Sequence, residues 1–209
     1  MSNPLPARLL VVTDRHQAAL QDIMGEAIAA GARWIWLRDR DLPAGERRAL
    51  AERLSALARA GGARLTVGGD VELAAEIGAD GVHLAAGAPV AAARARLGRG
   101  ALIGVSAHTA AEVAAAAAAG ADYATLSPIF ASASKPGYGP ALGAAAIAHA
   151  APHGLPILAL GGVTPERADE CLRAGAAGIA VMGEVMRAGR GGVRNVVRRY
   201  AVALAAGVA

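Results

Sequence analysis

Residues 119–126 read AGADYATL, and the same pattern recurs as AGARWIWL at 30–37, IGADGVHL at 77–84 and AGAAGIAV at 174–181. In each copy, a glycine and an alanine stand between a segment with helical spacing and a short apolar run. Glycine adopts the left-handed backbone conformation that ends many helices at low cost. Each copy therefore predicts the end of a helix that is followed at once by a buried strand.

Short apolar runs alternate with longer helical segments along the whole chain of 209 residues. The predicted strands are 8–13, 33–37, 64–67, 81–84, 101–105, 122–126, 156–160 and 178–182. The clearest predicted helices are 44–60, 71–77, 109–119, 165–174 and 193–205. This alternation favours an α/β fold with a parallel sheet, and eight units in this length favour a single (β/α)8 TIM barrel over residues 1–209. An open doubly wound sheet is the alternative, but no GxGxxG follows the first predicted strand.

The composition narrows the class of protein. Aromatic residues make up only 3% of the chain, so we expect a core of Ala, Val, Leu and Ile. The formal net charge of +4 comes from scattered basic residues, which indicates no nucleic-acid partner but is compatible with a small anionic substrate. Neither a signal peptide nor a membrane span is predicted, so we expect a cytoplasmic protein. Cys171 is the one cysteine and is expected to be a helix residue rather than a nucleophile.

Two glycine-containing turns follow the last two predicted strands. Gly161 and Gly162 interrupt LALGGVTPE at 158–166, and Gly183 follows the eighth strand. TIM barrels carry their active sites at the carboxyl ends of the strands and often bind phosphate in these two loops. Glycines let backbone N–H groups approach an anion, and a helix N-terminus adds partial positive charge. Tight turns alone would also explain the glycines, but their shared position favours a phosphate site.

Two arginines follow the second predicted strand. Arg38 and Arg40 are two residues apart, so their side chains point to the same side of an extended chain. Two guanidinium groups at a barrel mouth suit a polyanion. Ion pairs with Asp39, Asp41 or Glu46 are the alternative interpretation.

A long polar loop, ASASKPGYGPALG at 131–143, follows the sixth predicted strand. Long loops within compact domains are often functional lids. Ser132, Ser134 and Lys135 could close over a phosphate or diphosphate, and a surface loop without function is the alternative.

Two histidines lie near the predicted mouth. His83 falls within an apolar strand, where we expect a hydrogen-bonded residue of the barrel interior. His108 directly precedes a helix and could cap it, support the site or transfer protons. Thr109 and Glu112 have the spacing of a capping box, which is a structural role.

Taken in order, these strand-end segments resemble the thiamine phosphate synthase and thiazole tautomerase family over nearly the whole chain. The segments that carry the resemblance are LLVVTDR (9–15), WLRDR (36–40), DVELAAEIGADGVHL (70–84), LIGVSAHTAAEV (102–113), GADYATLSPIF (120–130), SKPGYGPALG (134–143) and ILALGGVTPE (157–166). The resemblance implies a (β/α)8 barrel. It also implies a transferase of thiamine biosynthesis that joins hydroxymethylpyrimidine diphosphate to thiazole phosphate with the help of Mg²⁺.

The resemblance also implies roles for individual residues. Those expected to face the diphosphate are Arg38, Arg40, Ser106 and Lys135. Those expected to hold the thiazole phosphate are Ser132, Ser134 and the Gly161–Gly162 turn.

The chain departs from the family pattern on the pyrimidine and metal side. Trp36 stands where the synthases have a pyrimidine-contacting glutamine. Gly68 and Gly69 replace an Asn-Asp pair, and Ala88 ends the segment that replaces Gly-Gln-Glu-Asp, so both usual metal carboxylates are lost. Asp70 is the remaining candidate ligand for Mg²⁺, which prefers hard oxygen donors.

Three functions are compatible with this pattern. The first is a divergent synthase. The second is a thiazole phosphate tautomerase, although its usual histidine aligns with Pro128 here, so His108 would have to take over. The third is a non-catalytic protein that binds thiazole phosphate or thiamine phosphate. All three imply small phosphorylated ligands, and all three are compatible with a homo-oligomer.

Overall fold

A computed structural model describes residues 3–14, 16, 19–39, 41–131 and 140–206. Eight parallel strands close into a barrel in chain order, which confirms the predicted TIM barrel. The strands are β1 (Leu9–Val12), β2 (Trp34–Leu37), β3 (Arg64–Gly68), β4 (Gly81–Leu84), β5 (Leu102–Ala107), β6 (Tyr123–Leu126), β7 (Ile157–Leu160) and β8 (Gly178–Val181). All eight predicted strands are confirmed, with ends that differ by no more than two residues.

Helices follow the strands and cover the outside of the barrel. They are α1 (Leu20–Ala29), α2 (Ala44–Ala60), α3 (Val71–Glu76), α4 (Val90–Leu97), α5 (Ala110–Ala118), α6 (Ala145–Ala150), α7 (Pro165–Arg173), α8 (Gly183–Arg187) and α9 (Val193–Ala206). The five predicted helices are confirmed to within one residue at each end. No helix within the described ranges is long and apolar enough to cross a membrane.

The recurring glycine–alanine pairs end helices as predicted. The four glycines have left-handed φ angles of 110°, 59°, 84° and 102° at Gly31, Gly78, Gly120 and Gly175. The alanine after each glycine donates its N–H to the carbonyl five residues earlier, over 2.9–3.1 Å. This is the long hydrogen bond of a Schellman motif, so each pair turns the chain directly from a helix into the next strand.

The prediction of an aliphatic core is correct for only part of the interior. Aliphatic side chains dominate the layer between the strands and the helices. Inside the barrel the expectation is wrong, because Trp34, Trp36 and Tyr123 are buried there among Leu and Val side chains. Half of the chain's six aromatic residues are thus concentrated where one large ring can fill space between several strands.

Cys171 is fully buried on α7, in agreement with its interpretation as a helix residue. Desolvation by burial raises the pKa of its thiol to about 11. The thiolate is therefore scarce at neutral pH, which keeps the group unreactive.

Candidate active site

The carboxyl ends of β1 and β2 are joined by buried polar contacts. The Thr13 hydroxyl donates to Asp39 Oδ2 over 2.5 Å and accepts the N–H of Arg38 over 3.0 Å. Asp39 is buried, whereas the Arg38 side chain is half-buried. Within the described ranges, Arg38 makes none of the ion pairs considered from the sequence, so its guanidinium is available to an anion at the mouth.

Arg47 of α2 ties the ends of β2 and β3 together. Its Nε donates to the Asp39 carbonyl (3.1 Å), its Nη2 to the Gly68 carbonyl (2.5 Å) and its Nη1 to Asp70 Oδ2 (2.6 Å). Only 7% of the residue is exposed. Sequence reasoning missed this anchor, although Arg47 falls on the helix face that also carries Leu50, Ala51, Leu54 and Ala58. A charged residue in such an apolar stripe is the signal that could have identified it.

Asp70 has two structural contacts. One carboxylate oxygen binds Arg47, and the other accepts the N–H of Leu73 over 2.9 Å as the N-cap of α3. Gly69 and Ala88, where the resemblance predicts metal carboxylates, have no side-chain oxygen. No group of three or more His, Cys, Asp or Glu side chains within the described ranges could hold a metal ion. Together, these three residues do not fit a protein-held magnesium site. No observation tests Asp70 as a single ligand of a metal that is held mainly by substrate, so that role stays a prediction from the sequence.

His83 joins three strands inside the barrel, as its apolar surroundings predicted. Its Nδ1 is hydrogen-bonded to the Tyr123 hydroxyl and its Nε2 to the Ser106 hydroxyl, each at 3.0 Å. Burial raises the pKa of Tyr123, so its phenol stays neutral in this contact. The Ser106 hydroxyl is therefore held in a fixed position near the carboxyl end of β5.

His108 links the end of β5 to the end of β6. Its Nδ1 lies 2.7 Å from the Ser127 carbonyl, and its backbone N–H donates to Glu112 over 2.5 Å. Thr109 accepts the Glu112 N–H over 3.1 Å, so the predicted N-cap of α5 is present. The structure thus gives His108 a positioning contact next to residue 128 at the mouth.

The glycine pair after β7 packs against the backbone that follows β6. Gly161 and Gly162 have φ angles of 93° and 61°. A Cβ on Gly162 would lie 2.3 Å from the Ala131 carbonyl oxygen, and the Phe130 N–H donates to the Gly161 carbonyl over 2.9 Å. Both positions therefore need glycine for the turn and for the close approach of the β6 loop.

The same turn presents unpaired amides. No described residue accepts a hydrogen bond from the backbone N–H of Gly162, Val163 or Thr164. These three consecutive donors precede the N-terminus of α7, and Gly183 opens α8 after the neighbouring strand. Such an arrangement can bind a phosphate group.

Tyr200 of α9 contacts both the loop after β7 and the loop after β8. Its hydroxyl lies 2.7 Å from the Val163 carbonyl oxygen and 2.6 Å from Glu184 Oε2. Burial, followed by the contact with Glu184, raises the pKa of the Tyr200 phenol. Sequence analysis gave no role to Tyr200, because the contact joins residues that are far apart in the chain.

Four of the residues expected at the site lie outside the described ranges. They are Arg40, Ser132, Ser134 and Lys135. Their roles stay predictions from the sequence.

Comparison with protein families and solved structures identifies relatives of this chain. Residues 9–185 match the family described as thiamine monophosphate synthase, which extends from β1 into α8. The chain belongs to the thiamine monophosphate synthase family. A thiamine-phosphate synthase of Chromobacterium violaceum is 44% identical over 168 residues, covering 79% of this chain and 81% of the relative. One of Roseiflexus castenholzii is 37% identical over 198 residues, covering 90% of this chain and 87% of the relative.

A solved structure shares the architecture over almost its full length. The thiamine phosphate pyrophosphorylase of Pyrococcus furiosus superposes with a TM-score of 0.85 at 27% identity, and the alignment covers 97% of both chains. The eight-stranded barrel of this chain therefore matches that of the solved structure over almost its full length, and the departures expected at Trp36, Gly68, Gly69 and Ala88 stay predictions from the sequence.

Proposed function

We propose that this chain is a thiamine-phosphate synthase, a transferase that couples hydroxymethylpyrimidine diphosphate to thiazole phosphate. Thiamine phosphate and diphosphate are the products. The observation that carries the proposal is that the family match includes all eight strands, and hence every strand end around the mouth. Relatives that bear this name match most of the chain.

Two candidate anion-binding regions at the mouth support this proposal. Arg38 follows β2, and the amides of Gly162, Val163 and Thr164 follow β7, three strand positions away around the closed barrel. Arg38, joined by Arg40 and Lys135, neutralises the diphosphate as its C–O bond breaks and the bonding electrons leave with it. The amides after β7 and Gly183, together with Ser132 and Ser134, bind the thiazole phosphate.

Bond formation needs orientation rather than a protein nucleophile. The thiazole nitrogen attacks the methylene carbon of the pyrimidine, which forms the new C–N bond as diphosphate departs. The Ser106 hydroxyl, positioned by His83, donates a hydrogen bond to an oxygen of the departing diphosphate and keeps its proton. Holding both rings next to each other makes the attack effectively unimolecular.

Magnesium has no place in this scheme as a protein-bound ion. The resemblance implies Mg²⁺, but Asp70 is bound to Arg47, and Gly69 and Ala88 carry no donor oxygen. The proposed reaction therefore contains no step at a metal ion held by the protein.

One observation favours the tautomerase as the second candidate. The His108 ring lies against the Ser127 carbonyl, next to the position where the tautomerases place their histidine. A non-catalytic binder is the third candidate, because the amides after β7 can hold a phosphate without catalysis.

An assay of three reactions separates these candidates. The synthase forms thiamine phosphate only when both substrates are present, the tautomerase isomerises thiazole phosphate alone, and the binder binds it without turnover. For the synthase, we expect Arg38→Ala to lower kcat/KM by about 10²-fold, as loss of a group that stabilises developing charge commonly does.

Arg33→Ala is the matched control for Arg38→Ala. Arg33 lies at the other end of β2, where its Nη1 donates to the carbonyls of Ile28 and Ala32. We expect this variant to keep its activity. Equal losses in both variants, or isomerisation without synthesis, would reject the proposed function.

A further inference from the structure

Tyr200 contacts the turn after β7 on the side that faces α9. Its side chain is fully buried, and its hydroxyl oxygen lies 2.7 Å from the Val163 carbonyl oxygen. The Val163 carbonyl and the Thr164 N–H belong to one trans peptide group, which is planar, so the two bonds point in opposite directions. A hydrogen bond from Tyr200 to this carbonyl therefore fixes the peptide plane and directs the Thr164 N–H away from α9.

The Thr164 N–H has no acceptor among the described residues. Thr164 is the N-cap residue of α7, and its backbone is extended, with φ −107° and ψ 166°. The Gly162 and Val163 amides directly before it also lack acceptors in this part of the chain. A carbonyl that accepts a hydrogen bond polarises its peptide group, which makes the N–H of that group a stronger donor. The contact with Tyr200 thus acts on both the direction and the strength of the Thr164 donor.

We propose that Tyr200 is a positioning residue for the phosphate site after β7. Its hydroxyl does not touch the ligand but holds the Val163–Thr164 peptide so that the Thr164 N–H faces the phosphate group. The ligand is a phosphate monoester, which is the thiazole phosphate of the proposed synthase function. The inference rests on that function for the identity of the ligand, whereas the contact with the anion can be measured with inorganic phosphate alone.

Glu184 of α8 competes with Val163 for the same hydroxyl hydrogen. Its Oε2 lies 2.6 Å from the Tyr200 hydroxyl oxygen, and its Oε1 lies 3.5 Å from Arg199 Nη1. A phenol has one hydrogen to donate, and burial keeps it in place because it raises the pKa of Tyr200. The hydrogen is therefore divided between two acceptors, and removal of the Glu184 carboxylate leaves it to Val163 alone.

A role in packing alone is the alternative, so the test has to keep the Tyr200 ring. The ring belongs to the core between the helices and the barrel, and its loss would loosen the fold. Tyr200→Phe removes only the hydroxyl group. Val197→Ala is the matched control, because Val197 is also fully buried on α9 and its truncation weakens packing without removing the hydrogen bond.

Amide NMR tests the positioning without turnover. Titration of the wild-type protein with inorganic phosphate, and separately with thiazole phosphate, should shift the Thr164 N–H signal. Tyr200→Phe should raise the Kd for both anions about fivefold, which is the factor that one ordinary hydrogen bond contributes. Val197→Ala should change it less than about twofold, as expected for a site without a shared partner. No shift of the Thr164 signal with either anion, or equal Kd values in wild type and Tyr200→Phe, would overturn the proposal.

Kinetics test the same role in the proposed reaction. Tyr200→Phe should raise the KM for thiazole phosphate about fivefold, with changes under about twofold in kcat and in the KM for the pyrimidine substrate. A role in packing alone lowers the amount of folded enzyme, which thermal unfolding detects, without this selective change in KM. An equal rise in both KM values would overturn the proposal. Absence of turnover with the expected NMR response would reject only the synthase function.

Glu184→Ala separates the two acceptors of the hydroxyl group. The variant keeps the whole Tyr200 side chain, and the hydroxyl hydrogen then donates to Val163 alone. We expect the affinity for inorganic phosphate to be retained or to increase, in contrast to the loss in Tyr200→Phe. A loss in Glu184→Ala as large as that in Tyr200→Phe would overturn the positioning of Thr164 through Val163.

Discussion

At the scale of single residues, Arg47 is a charged side chain that stabilises the fold. Its guanidinium is buried and binds Asp70 and two strand-end carbonyls. Arg47→Met should lower the free energy of unfolding by roughly 2–4 kcal/mol, because it leaves these acceptors unpaired at a buried site. Urea denaturation measures this loss. The Arg47→Met substitution should also raise the KM for the diphosphate substrate, because the ends of β2 and β3 are no longer held together.

Arg48 is the matched control on the same helix. It is exposed and pairs with Glu52 and Glu76 at the surface. Arg48→Met should lower the free energy of unfolding by less than about 1 kcal/mol, because exposed ion pairs contribute little to stability. Similar losses for Arg47→Met and Arg48→Met would contradict the anchoring role.

At the scale of elements, two copies of the glycine–alanine pattern contain an aspartate that accepts a backbone N–H from the preceding strand. Asp80 accepts the N–H of Leu65 over 2.8 Å, and Asp122 accepts that of Ile103 over 2.7 Å. Each aspartate also pairs with an arginine, Arg64 or Arg94. The copies thus join each strand to the preceding one at the amino-terminal end of the barrel, away from the mouth.

The two aspartates differ in burial, and this predicts different stabilities. The Asp122 side chain is 1% exposed and also accepts the N–H of Asn3, whereas that of Asp80 is 25% exposed. Asp122→Ala should lower the free energy of unfolding by about 3–5 kcal/mol, because it removes one partner of a buried ion pair. Asp80→Ala should lower it by about 1–2 kcal/mol. Chemical denaturation of both variants provides the comparison. Equal losses would show that burial does not set the strength of these contacts.

The elements were predictable because the signals are local. A glycine, an alanine and an apolar run lie next to one another in the chain, so every strand could be placed from the sequence. The contacts of Trp36 with Gly68 and His83 could not, because they depend on the register of three strands. Tyr200 was missed for the same reason, since its partners Val163 and Glu184 come from separate loops.

At the scale of the whole molecule, Gly69 and Ala88 follow the neighbouring strands β3 and β4, and neither residue carries a carboxylate. We expect the protein alone to show no saturable Mn²⁺ binding in the micromolar range by electron paramagnetic resonance. Gly69→Asp with Ala88→Asp should create such binding, because two hard oxygen donors return. Aspartate tolerates the left-handed φ of 71° at Gly69 better than most residues.

The neutral double variant is the control for metal binding. Gly69→Asn with Ala88→Asn has nearly the same shape but lacks the two negative charges, and it should bind Mn²⁺ weakly. Saturable micromolar binding to the unmodified protein would contradict the conclusion that its residues do not fit a metal site.

The coupling of the two substrates is the central claim, and phosphorus NMR tests it most directly. The protein is mixed with hydroxymethylpyrimidine diphosphate and thiazole phosphate under excess Mg²⁺, and diphosphate and thiamine phosphate are followed together. The proposed function predicts one diphosphate for each thiamine phosphate, and no diphosphate when thiazole phosphate is omitted. Diphosphate release without thiamine phosphate, or no product while thiazole phosphate still binds, would contradict it.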